Sequence, residues 1–132
     1  MDFKSITIGN KSVVKVTIGN IQVYPKDTFN VEPIGSDFDW DGVYLTVDNN
    51  SHSIQIKVTS IVGGVATGVT MSITNNGIGM SGGGYTDGPN LGERIYSYFI
   101  PVNSTYDDRH SEIMFRQYGT NRTIYIQVWQ DM

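Results

Sequence analysis

The chain of 132 residues contains no cysteine. Disulfides, thiolate nucleophiles and cysteine-ligated metals are thereby excluded. No apolar run approaches the roughly 20 residues that a membrane-spanning helix needs, and residues 1–5 offer no apolar signal region. That start predicts a protein made and assembled in a cytoplasm, with no membrane partner. Basic residues are few: nine Lys and Arg stand against thirteen Asp and Glu, for a net charge of −4. They are scattered singly, so no basic stripe can neutralise a phosphate backbone, and nucleic acid is not an expected ligand. Histidine is limited to His52 and His110, and glutamate to Glu32, Glu93 and Glu112. Helical apolar spacing is missing from every window of about eleven residues.

What is abundant points to β structure. There are fifteen glycines and eight tyrosines, with many Val, Ile and Thr between them. These are residues of pleated, half-buried strands and of the tight turns that join them. The expected fold is all-β, with one domain and a short leader.

The leader is marked by a phrase that occurs twice, Thr7-Ile8-Gly9-Asn10 and Thr17-Ile18-Gly19-Asn20. Gly-Asn breaks at both copies predict a three-strand meander over residues 6–24, closed by Pro25. So short a ribbon offers only a thin apolar face and needs a partner surface. Two readings stand. The leader supplies the first strands of one sandwich, or residues 1–25 are an attachment segment and residues 28–132 are its cargo. On the second reading the docking residues are Ile6, Ile8, Val14, Val16, Ile18, Ile21 and Val23, through exposed main-chain edges.

From Thr28 onward, about seven short strands follow at sandwich spacing. Residues 43–47 and 54–58 flank a polar turn. Residues 65–73 read as one strand, residues 75–92 as a long glycine-rich loop, and residues 94–102 as a strand. Residues 112–117 and 122–130 read as a closing hairpin. Ile113, Phe115, Ile124, Ile126 and Val128 are the expected core of that hairpin, because strand side chains alternate between faces.

Four patterns could carry chemistry. Asp37, Asp39, Asp41 and Gly42, with Asp48 beyond, match the spacing of a calcium loop, in which alternate carboxylates surround a bend. The same alternation also serves to bury Phe38 and Trp40 while the aspartates face water. Gly77, Gly79 and Gly82 match a dinucleotide fingerprint in spacing, but no helix follows to receive a phosphate, so no cofactor is expected. His52 and His110 read as turn residues rather than members of a triad, which needs groups converging from several elements. Tyr125 and Trp129 share the outer face of the last strand, and planar aromatics on a flat sheet stack on sugars or on protein. Tyr85, in the glycine-rich stretch, is a third candidate for that contact. No catalytic constellation assembles, and a non-enzymatic role is expected.

Residues 109–130 resemble the C-terminal hairpin of BACON domains, immunoglobulin-like modules frequent in Bacteroidetes and their phages. The matching positions are Arg109, Ile113, Phe115, Thr123, Ile124, Ile126, Val128 and Gln130. The leader is similar to the start of small virion proteins of Bacteroides-infecting, crAss-like phages, where it precedes immunoglobulin-like domains. These resemblances imply an immunoglobulin-like β-sandwich and a structural role on the particle, as capsid decoration, head fibre or tail-associated protein. They imply other virion proteins and further copies of the same chain as partners, and the virion as the location. They also imply host or mucin glycans as a second class of ligand.

Overall fold

The computed structural model describes residues 27–132 in full and the backbone of residues 16–18 and 21–23. Among the described residues every regular element is a strand. Two short strands come first, β1 (Val16–Ile18) and β2 (Ile21–Val23). They pair antiparallel, Val16 opposite Val23 and Ile18 opposite Ile21, and form a two-stranded sheet of their own. The expected strand at residues 6–8 lies outside the described residues. So do the docking candidates Ile6, Ile8 and Val14, whereas Val16, Ile18, Ile21 and Val23 fall on this hairpin.

The remaining strands are β3 (Thr28–Ile34), β4 (Asp39–Trp40), β5 (Tyr44–Val47), β6 (His52–Val62), β7 (Val65–Ala66), β8 (Val69–Asn76), β9 (Ser81–Asp87), β10 (Glu93–Ile100), β11 (Arg109–Gln117) and β12 (Thr123–Gln130). They form two sheets. The first runs β3-β6-β10-β9, with β7 folded back on the end of β6, and the second runs β4-β5-β12-β11-β8. Neighbours are antiparallel except β5 and β12, which run parallel. The chain passes from the first sheet to the second in residues 35–38, between β3 and β4.

The core lies between the sheets and follows from alternation. On β6 the buried positions are His52, Ile54, Ile56, Val58 and Ser60; on β11 they are Ser111, Ile113, Phe115 and Gln117; on β12 they are Ile126, Val128 and Gln130. Each fully buried Ile, Val or Phe contributes about 1.5–3 kcal/mol relative to exposure. Tyr96 of β10 meets Phe115 of β11 edge-on, ring centres 5.2 Å apart, so the two sheets touch through aromatics. The hairpin core expected from the sequence is thus present, with Ile124 packed at its margin.

Polar residues occupy the ends of the inward rows, where they tie loops. Gln117 Nε2 donates to Thr28 O and to Ser60 Oγ, and its Oε1 accepts from Thr120 Oγ1. Gln130 Nε2 donates to Asn50 O and Pro101 O, while its Oε1 accepts from Arg109 at 2.7 Å. Arg109 also donates to the carbonyls of Pro101 and Val102. One Arg–Gln pair therefore fastens two turns and the end of β12.

Three expectations change. The stretch over residues 75–92 is not one loop, because it carries β9 along the edge of the first sheet. Its glycines permit this: Gly82 and Gly83 have φ of +104° and +99°. A Cβ on Gly82 would sit 2.5 Å from the Ser97 carbonyl oxygen. The register against β10 shifts there, between Ser97 and Tyr98. The strand expected over residues 65–73 breaks at Thr67 and Gly68, because Thr67 N–H turns to Ser60 O while Gly68 O accepts from Tyr118 N–H in the turn after β11. Val102 lies past the end of β10 and is exposed.

Candidate binding face

The outer face of the second sheet collects the candidate aromatics. Because Ile126, Val128 and Gln130 of β12 point inward, Tyr125, Gln127 and Trp129 point out. Register sets their neighbours. His110 of β11 lies opposite Trp129, Glu112 opposite Gln127, and Met114 opposite Tyr125. On the other side, the parallel partner β5 places Tyr44 beside Gln127 and Thr46 beside Trp129. Tyr125 and Trp129 are 46% and 37% exposed, and Tyr44 is exposed between them. At about 3.3 Å per residue, the four-residue step from Tyr125 to Trp129 spans about 13 Å.

Hydrogen bonds fix the polar part of this face. Gln127 Nε2 donates to Glu112 Oε2 at 2.6 Å, and Thr74 Oγ1 donates to Glu112 Oε1 at 2.6 Å. These two donors, Gln127 first, hold the Glu112 carboxyl below its ordinary pKa. Gln127 Oε1 bonds His110 Nε2. The His110 ring in turn stacks on Trp129, centres 4.5 Å apart and planes 28° apart. One side of the Trp129 indole is thus backed by imidazole. The arrangement offers ring faces at both ends of a row and fixed amide and carboxylate groups between them. Such an arrangement is chemically suited to stacking and hydrogen bonding.

Tyr85 is not part of it. It lies on β9 in the first sheet, against Tyr96 at 5.2 Å, with the Arg94 guanidinium 4.2 Å over its ring. Alternation along the last strand places Gln127 on this face beside Tyr125 and Trp129, whereas Tyr44, His110 and Glu112 were not read from the sequence as members of it. The alternation of Tyr44 and Thr46 against Leu45 and Val47 carries the signal for Tyr44. Its pairing with β12 has no local signal.

The aspartates of the calcium-like spacing are placed apart in role. Phe38 and Trp40 pack on the core, while Asp37, Asp39 and Asp41 are exposed. Asp41 Oδ1 accepts from the N–H groups of Tyr44 and Val43, which lower its pKa and close its own turn. Asp48 Oδ1 accepts from Asn50 N–H and faces His52, and these lower its pKa in that order. Asp37 faces the other nitrogen of His52. Among the described residues no group of three or more His, Asp or Glu is arranged to hold a metal ion. Both histidines sit on strands rather than turns: His52 opens β6 with its side chain buried, and His110 lies in β11. No family model matches the chain, and a search of the curated proteins finds no match.

Proposed function

We propose that the chain is a non-enzymatic structural protein of a phage particle, held by its N-terminal β segment and displaying an immunoglobulin-like sandwich. One observation carries the reading. Among the described residues β1 and β2 pair with each other and with no strand of the two larger sheets. A two-stranded ribbon of this length is marginal in water by itself and gains stability from a partner. Its outer edges offer main-chain donors and acceptors for strand addition. The strand order supports the immunoglobulin-like part. With β3, β6, β8, β9, β10, β11 and β12 as A to G, and β5 as a second half of A, the sheets run A-B-E-D and A′-G-F-C, with β4 at the edge beyond A′. The particle itself rests on the resemblance of residues 1–25 and 109–130. Mass-spectrometric detection of the chain in purified particles tests this assignment. Its presence at stoichiometric level is expected, and its absence from particles would sink the reading.

A second reading is favoured by the outer face. Tyr44, Tyr125 and Trp129 flank the Gln127–Glu112 pair on one exposed surface. That pattern suits a glycan, whose apolar ring faces stack while its hydroxyls bond the amide and carboxylate. On this reading a glycan array gives a signal that Trp129→Ala abolishes. An array silent for the native chain counts against it.

A further inference from the structure

His52 begins β6 on its inner face, opposite Ile100 and next in row to Ile54, and its side chain is only 4% exposed. Both ring nitrogens face carboxylates: Nδ1 is 2.7 Å from Asp37 Oδ2, and Nε2 is 2.7 Å from Asp48 Oδ1. The two aspartates come from different places. Asp37 belongs to the segment that crosses from the first sheet to the second, and Asp48 to the turn between β5 and β6. A neutral imidazole has one N–H and one bare lone pair, so it satisfies one carboxylate and sets a lone pair against the other. The imidazolium donates to both.

We propose that Asp37, His52 and Asp48 form a pH-operated clasp. Protonated, it fastens the crossing segment to the β5–β6 turn; neutral, it releases that segment and loosens this end of the sandwich. Charge around the ring favours the closed form. Asp37, Asp39, Asp48 and Asp131 line one cleft of about 270 Å³ at this end. They come from the crossing segment, β4, the turn and the residue after β12. Arg109, whose partner Gln130 also bonds the Asn50 carbonyl of the turn, is held by Gln130 and by the carbonyls of Pro101 and Val102. On β10 the residue opposite His52 is Ile100, which carries no charge.

The geometry also says which side lets go. Asp48 also accepts the Asn50 N–H at 3.0 Å, a bond that does not involve the ring. Among the described residues Asp37 makes no such second bond, so the crossing segment is the part released. Phe38, next in sequence and packed on the core, would then lose its cover. Burial alone draws the His52 pKa down, and the bonds to Asp37 and Asp48 overcome it, leaving it above the ordinary 6.5. The sign follows: the clasp contributes fully below the ordinary value and is lost as pH rises through the raised one.

The test pairs nitrogen NMR of the imidazole with hydrogen exchange of amides 36–38, at about pH 6 and about pH 9, corrected for intrinsic rates. Both ring nitrogens should carry protons at the lower pH. Exchange of the segment should rise as pH passes from the ordinary imidazole value to the raised one, by up to about tenfold per pH unit, and level off above it. In Asp37→Asn, an exposed change that leaves the core intact, protection should already be lost at the lower pH, and the rise should vanish. A neutral ring at the lower pH, or protection that ignores pH in the native chain, overturns the proposal.

Discussion

Trp129 lies face to face with His110 across the β11–β12 pair, ring centres 4.5 Å apart. The contact locks an exposed indole into one orientation. Such aromatic pairs contribute about 0.5–1.5 kcal/mol beyond the area they bury. Trp129→Ala should therefore cost about 1 kcal/mol. Urea titration should show a lower midpoint and an unchanged slope, since the rest of the sandwich is untouched. A loss of several kcal/mol would mean that Trp129 supports the core rather than a binding face.

Gly82 and Gly84 should respond differently to alanine. Gly82 has a φ of +104°, and its Cβ would lie 2.5 Å from the Ser97 carbonyl oxygen. Gly84 has no atom within 4 Å of its Cβ position and no positive φ. Gly82→Ala should cost about 2–3 kcal/mol through strain and displacement of β9. Gly84→Ala should be neutral within about 0.5 kcal/mol. Equal effects in thermal melts would contradict the bulged edge strand.

The Tyr98 hydroxyl is buried and has no hydrogen-bond partner among the described residues. Burial, with a smaller push from Tyr96, raises its pKa well above the ordinary tyrosine value. An unsatisfied buried hydroxyl costs about 1–3 kcal/mol. Tyr98→Phe removes that group and keeps the ring, so the variant should melt higher than the native chain. A lower melting temperature would reveal a bond to the hydroxyl in solution.

Stability should fall on both sides of a plateau in pH. Asp41, Asp48 and Glu112 all have pKa values below the ordinary ones, through N–H donors of Tyr44 and Asn50 and the amide of Gln127 respectively. Their contribution is present above the ordinary carboxylate values and is lost as pH falls through the lowered ones. His52 acts in the opposite sense, and its contribution is lost as pH rises. Melting temperature against pH should thus be highest between the carboxylate range and the raised imidazole value. In His52→Gln the alkaline descent should flatten while the acid descent remains.

Much of the fold was legible because it is local. The alternation of Ile113 and Phe115, and of Ile126 and Val128, carried the closing hairpin and left Tyr125 and Trp129 outside. The parts that were not legible depend on distant register. Tyr44 reaches Trp129 and Tyr125 only through the parallel β5–β12 pairing, and strands so far apart in sequence share no turn to announce it. β9 was hidden by composition, since glycine opposes strand formation unless a close backbone approach requires it. His52 sits beside Ser51 and Ser53, which read as a turn. Its burial follows from the inward row it starts, and its partners come from two segments that only the sheet crossing brings together.

On the proposed reading the leader is a docking element rather than a missing part of the sandwich. Removing residues 1–25 and measuring both the melt and the particle incorporation of the remaining chain tests this most directly. A cooperative melt close to that of the 132-residue chain is expected, with incorporation lost. A truncated chain that is unfolded, or one that still enters particles, would contradict it.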